Sequence, residues 1–425
     1  MITTENRLRT YVAKAEDRPD VIDALFLLGA LIAPMSLRIF KAVTAFDALL
    51  IVLAFLIVAG PRRMLAIPMS LRIAGLVLML AGLISSFRAT YPVQSVYQVL
   101  QLGLVFFVEL PVIVTIARSR KTIQGAMAMF VLGYLLVVVV SMLRPVHVAH
   151  RVLPFYNEEN ANPLATPTVF LSPFAIHFTL ELWRRRRRAL ALVAGGIACY
   201  LMLWALTASA SRGASATTLV SLVVFAAFRD GLRFDRRVLT RVVVLAAVLV
   251  GVGTLVYQTD LFPSTLKERI ASTVDQQAGH QVSDDRIALD RAGMRAFLQS
   301  PLVGTGFDNF RYVAQFYDDQ ATFHDPHNVW VQFLAQSGLL GAAAFLFIIG
   351  RWFVLMVRSQ RYARTRSDRE LLWAFVAAMT GLMVHSMLAP LVLQRHYWLL
   401  YGLGIAAAVV VSRERASTAA PTNGS

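Results

Sequence analysis

Apolar residues in this chain gather in runs of roughly 18 to 22, and polar residues interrupt the runs along the whole length. An α-helix needs about 20 apolar residues to cross a bilayer, so each run predicts one membrane-spanning helix. Twelve runs qualify, at about 21–40, 42–60, 69–86, 96–117, 123–143, 164–183, 189–208, 214–228, 239–258, 328–357, 371–391 and 396–412. The expected fold class is all-α: a polytopic helical membrane protein of about twelve transmembrane helices with one long external loop of short helices. The run behind the polar start MITTENRLRTYVAKAEDRPD is full length, which argues against a cleavable signal peptide.

Composition supports the same class. Of 425 residues, 57% are hydrophobic and only 16% charged, too few to cover a soluble surface. A net charge of +16 would suggest nucleic acid as the partner of a soluble protein. Here most Lys and Arg fall in alternate connections: the N-terminal tail, PRRM, RSRK, RRRRR (184–188), RDGLRFDRR (229–237), RSQRYARTRSDR (358–369) and SRER. Excess Lys and Arg marks cytoplasmic loops, so no nucleic-acid partner is expected and both termini are expected inside. RRRRR reads as a topology signal that also touches anionic lipid. The predicted order is a cytoplasmic tail (1–20), spans one to nine (21–258), a periplasmic loop (259–327), spans ten to twelve (328–412) and a cytoplasmic tail (413–425). The single cysteine, Cys199, lies in an apolar run and rules out an intrachain disulfide.

The long loop is too large to be mere connection. Ser283 can cap a helix whose first turn holds Asp284 and Asp285, with Pro301 after Ser300 at its end. GTGFDNF (304–310) reads as a glycine turn, followed by Phe310, Val313 and Phe316 at helical spacing. Short amphipathic helices over the membrane are therefore predicted.

The most reactive side chains stand where the chain re-enters an apolar run, in HDPHNVWVQFLAQSGLLG (324–341). Asp325-Pro326-His327 predicts a helix start, with Asp325 at the cap, Pro326 at the first position and His327 in the first turn. A helix N-terminus disfavours imidazolium, and a neutral ring can act as a general base. It also suits an anion such as phosphate. Gly338 and Gly341 are expected to allow close packing further along. Two surface histidines at a membrane interface are the plainer alternative, and a zinc site on His324 and His327 lacks a third ligand. Elsewhere, Glu109 in span four is either functional or a hydrogen-bonded residue beside the kink at Pro111. Asp23, Asp47 and Glu181 lie near span ends, and His177 and His385 read as packing residues.

These elements together carry a resemblance. His327-Asn328, with Gly338 and Gly341 at their offsets, resembles the signature of the O-antigen ligase family, membrane glycosyltransferases that include O-antigen polymerases. SASRGA (209–214), in the short external loop between spans seven and eight, looks like that family's Ser-Arg-Gly element. DDRIALDRAGMRAFLQSPLVGTGFDNF resembles its long-loop pattern, and NPLAT (162–166) its Asn-x-x-Ala entry. The pattern departs in lacking an aromatic after Arg286, where Asp290 and Arg291 stand, so Arg286, Arg291 and Arg295 all remain candidates.

The resemblance implies a GT-C-like fold in the bacterial inner membrane, with the active site facing the periplasm. It implies a glycan donor on undecaprenyl diphosphate and an acceptor hydroxyl, that of the lipid A core in a ligase. Arginine suits such a donor because its guanidinium holds phosphate oxygens in bidentate fashion and never deprotonates. Arg212 and Arg286 are the expected catalytic cations, with His327 the proton acceptor. Arg291, Arg88 and Asn328 are further candidates for the diphosphate, and no metal or other cofactor is expected. Arg212 could instead anchor headgroups, and Arg286 could pair with Asp285 or Asp290. The rivals are a polymerase, for which Arg295 and Gly306 have the spacing of an Arg-x10-Gly element, and a lipid-linked oligosaccharide flippase or other transporter, which would place its ionisable groups near the midplane.

Overall fold

The computed structural model describes residues 20–40, 43–60, 64, 65, 67–148, 151–156, 162–231, 276–389 and 394–419, with single positions at 240, 247 and 251. Helices overlap eleven of the twelve expected spans. The ninth, 239–258, lies almost wholly outside the described residues. In chain order they are α1 (Val21–Ile32), α2 (Ala45–Ala59), α3 (Met69–Ser86), α4 (Pro92–Leu104), α5 (Leu110–Ile116), α6 (Arg120–Leu143), α7 (Asn162–Arg184), α8 (Arg188–Ala208) and α9 (Arg212–Phe228). Then come α10 (Gln276–Gln299) and α11 (Ala314–Tyr317) of the long loop, followed by α12 (Val329–Ser359), α13 (Arg366–His385) and α14 (Arg395–Ala419). Among the described residues, five helical stretches are long and apolar enough to cross a membrane: Met69–Ser86, Pro92–Ile116, Arg120–Leu143, Arg188–Ala208 and Val329–Tyr362. The fold is all-α in its bulk, with two small hairpins, β1 (Arg38–Phe40) with β2 (Val43–Thr44) and β3 (Val146–Val148) with β4 (Arg151–Leu153). Span one is thus shorter than its apolar run, because the chain turns into the first hairpin.

Local chemistry explains where the helices start. Asp20 and Asp23 form a capping box at α1, Thr44 and Asp47 one at α2, Thr365 and Asp368 one at α13. Asp47, near a span end as expected, is fully buried, its carboxylate accepting the Thr44 N–H at 2.8 Å. A π-turn at Val105–Glu109 joins α4 to α5 just before Pro111, which cannot donate to the helix ladder. Within the core, Trp352 donates to the Tyr401 carbonyl at 3.0 Å, tying α12 to α14.

The connections segregate into two ends. At one, Arg184 and Arg366 both meet Glu370, Arg120 meets Asp368, and Arg366 also meets Asp230 at 3.0 Å. At the other lie both hairpins, the 87–91 turn, the Ser-Arg-Gly turn and the long loop. There the Asn309 side chain accepts the Tyr91 N–H at 3.1 Å, and the Ser386 carbonyl accepts the Val329 N–H at 2.8 Å.

The long loop departs from its sequence reading. Ser283 lies inside α10, which already runs from Gln276, rather than capping it; the end at Gln299, before Ser300-Pro301, is as expected. Beyond Pro301, the loop docks into a break in α12. Gly338 has φ +66°, which interrupts the helix and releases carbonyls that the loop then satisfies. Thr305 N–H donates to the Ala335 carbonyl at 2.9 Å and Gly306 N–H to that of Gln336 at 3.0 Å, while Leu339 N–H reaches back to Pro301 at 2.7 Å. A Cβ on Gly304, itself at φ +76°, would stand 2.6 Å from the Gln336 carbonyl carbon. Gly338 is therefore a docking break, a stronger role than the close packing expected of it.

Candidate active site

The Ser-Arg-Gly turn builds one wall. Ser211 caps α9 by accepting the Ala214 N–H, which makes Arg212 the first residue of that helix rather than part of a free loop. Arg212 is exposed, and among the described residues no carboxylate pairs with it. Behind it, Arg151 of β4 donates to the Ser209 carbonyl at 2.7 Å and to the Asn162 side chain at 2.7 Å. It thereby fixes the turn to the head of α7, where NPLAT begins.

His385, at the end of α13, forms the back of the site. Thr166 Oγ1 lies 3.2 Å from its Nε2 and Thr217 Oγ1 3.2 Å from its Nδ1, joining α7, α9 and α13. Its Cε1 would be 3.6 Å from a Cβ built on Gly213, next to Arg212. His385 does pack, as expected, and it packs against the turn that presents Arg212.

His327 forms the other side. The helix start is displaced from the prediction: Asn328 is the cap, accepting the Trp330 N–H at 3.0 Å, and α12 begins at Val329. Asp325 does not cap. Its carboxylate accepts from Gln336 Nε2 at 2.9 Å and pairs with Arg311 at 3.2 Å, and burial pushes its pKa up. His327 therefore precedes the helix. Its ring is held down to about 4, first by burial and then by the positive charge of Arg286 and by His324, so it is neutral at pH 7 for reasons other than the helix end.

Arg286 links the two sides. Its charge acts on both His327 and His385, and it faces Asp290 one turn on, although no carboxylate comes within ion-pair distance of it among the described residues. Asp290 lies beside the Asn328 backbone and keeps its buried Oδ1 without a partner; burial raises its pKa. Arg212, His385, Arg286 and His327 are thus brought to one corner. Arg291, Arg295 and Arg88 are engaged elsewhere. Arg291 and Arg295 both turn to Asp318, each at 3.3 Å, and Arg88 donates to Ser300 at 2.8 Å, clamping the end of α10. Asn328 has its side-chain oxygen engaged in the cap.

Residues 197–346 match the O-antigen ligase family. The match runs from within α8 into α12 and contains Arg212, Arg286 and His327. The family resemblance of that segment is therefore shown, while NPLAT at the head of α7 lies outside it. No curated protein matches the chain.

Two residues at this corner escaped sequence reasoning. Arg151 carries a signal of its own, an arginine on the side expected to be poor in positive charge. Asp290 was read only as a pairing partner for Arg286.

Proposed function

We propose that this chain is an O-antigen ligase. It would take a glycan from undecaprenyl diphosphate and pass it to a sugar hydroxyl of the lipid A core, at the periplasmic face of the bacterial inner membrane. The observation that carries the reading is a pair of arginines with no carboxylate partner among the described residues: Arg286, whose charge reaches a neutral His327 and His385, and Arg212, whose neighbour Gly213 packs against His385. The acceptor oxygen attacks the anomeric carbon as the bond to the diphosphate breaks, and the electron pair passes to the leaving phosphate oxygen. Arg212 and Arg286 stabilise that charge, and His327 takes the hydroxyl proton. Direct displacement inverts the anomeric centre. Two fixed guanidinium groups supply the charge stabilisation, so turnover is expected to persist in excess chelator.

The polymerase reading rested on the spacing of Arg295 and Gly306. Arg295 donates to the Tyr317 carbonyl at 2.7 Å, and Gly306 holds the loop on α12, so both have structural work that accounts for them. A transporter calls for ionisable groups along a path at mid-depth. The cleft between α7, α8 and α9, about 510 Å³, is instead lined by residues such as Met202, Leu206 and Leu222. The deciding experiment incubates the purified full chain with undecaprenyl-diphosphate glycan, with and without lipid A core. Transfer to the core supports the ligase, ladder growth without core supports the polymerase, and no product in either defeats glycosyl transfer.

A further inference from the structure

A large cavity lies at the loop end, away from the arginine corner. It has a volume of about 970 Å³, at the upper end of ligand pockets, and is bounded by the first hairpin, the head of α4 and the long loop. Its lining has an unusual source. Gln94, Gln98 and Gln101 recur along α4 at the spacing of one helix face, within a stretch long and apolar enough to cross a membrane. Amides on such a helix are costly against lipid and are found where they line a hydrated cavity or meet polar partners. Tyr91, Tyr97 and Tyr312 line the same space, with the Tyr91 and Tyr312 rings 4.4 Å apart.

We propose that this groove binds a carbohydrate chain, the glycan of one of the two substrates. The inference rests on the glycosyl-transfer reading for its physiological role. A sugar hydroxyl both donates and accepts, as does a glutamine amide, and the C–H face of a sugar ring packs on an aromatic ring. Gln98 Oε1 is covered and accepts no hydrogen bond, so its amide has acceptor capacity to spare only if its side chain turns toward the groove. The groove is also wired to the reacting corner. Gln94 and Gln98 donate to Asp308 Oδ2 at 2.7 and 3.2 Å, Arg311 meets both Asp308 and Asp325, and Asp325 lies two residues before His327. A glycan seated here would extend along the face of the loop whose end carries His327.

The test has a binding arm and two kinetic arms. Saturation-transfer NMR on the full chain in detergent uses, as probe, oligosaccharide freed by mild acid from the producing cell's lipid-linked pool. Wild type is expected to saturate sugar C–H protons; Tyr97→Ala and Gln98→Leu lose the signal, whereas Tyr97→Phe and His327→Ala keep it. In the kinetic arms, glycan length is varied first on the donor and then on the core acceptor. Tyr97→Ala is expected to raise KM about tenfold for the longer form of one substrate and leave kcat and the single-sugar form unchanged, and the arm that responds identifies the source. Sugar binding without any transfer would sink the ligase reading and leave the groove standing. No saturation in wild type, or equal signal in Tyr97→Ala and Gln98→Leu, would overturn the groove.

Discussion

The two ends of the helix bundle differ in how some of their arginines are engaged. At the basic end, Arg184, Arg120 and Arg366 each meet a carboxylate, and the acids they meet, Glu370 and Asp368, are buried. At the loop end, Arg291 and Arg295 share Asp318, yet Arg212 and Arg286 have no such partner among the described residues. A paired guanidinium satisfies a buried acid and stabilises the fold. An unpaired one beside a neutral imidazole is available to an anion that arrives and leaves. The contrast separates arginines that hold the bundle from arginines that meet a substrate.

Loss of the reacting groups should break the contrast most visibly. His327→Ala is expected to lower kcat by about 10²–10⁴, the usual worth of a positioned general base. Arg212→Ala or Arg286→Ala is expected to lower it by about 10²–10³, as for one preorganised donor to a developing anion. Steady-state transfer assays on purified variants read both. Arg184→Ala is the opposing case: a lower melting temperature, because the buried Glu370 loses one of its two arginine partners, with kcat unchanged in the protein that remains folded.

The docking break comes next. Gly338→Ala places a Cβ at φ +66°, a strain of about 1–3 kcal/mol, and presses on the Leu302 backbone. Protease sensitivity of the long loop should rise, and an unaltered digestion pattern would count against the loop's dependence on this break.

The smallest effect sharpens the account of His327. Its ring sits at about 4, below its ordinary 6.5, through burial and then Arg286. The base form therefore persists as pH falls through 6.5 and is lost only as pH falls through about 4. The acid limb of kcat/KM should lie near 4, and in Arg286→Ala it should move upward. A wild-type limb near 6.5 would remove the coupling between these residues.

Much of this was legible in advance, and the reasons differ by feature. Hydrophobic run length located helices in eleven of the twelve expected spans because bilayer thickness fixes it, whereas the boxes at Asp20, Thr44 and Thr365 were not read in advance. Arg212 stood out through its Ser-Arg-Gly setting, a short local pattern. The start of α12 was misplaced at Asp325 because two acceptors, Asp325 and Asn328, compete for one cap. The decision came from Arg311 and Gln336, which are distant or out of register in sequence. Gly338 reads alike whether it packs or breaks a helix, since the partner that makes the break tolerable is the 301–306 turn. Likewise, choosing among Arg286, Arg291 and Arg295 required Asp318, which lies beyond any local pattern.

The most direct test is a cryo-EM structure of the full chain with undecaprenyl diphosphate bound. The account predicts the diphosphate bridging Arg212 and Arg286, with His327 on the side from which an acceptor hydroxyl would approach. Diphosphate density touching neither arginine, or lying at the Arg184 end, would contradict it.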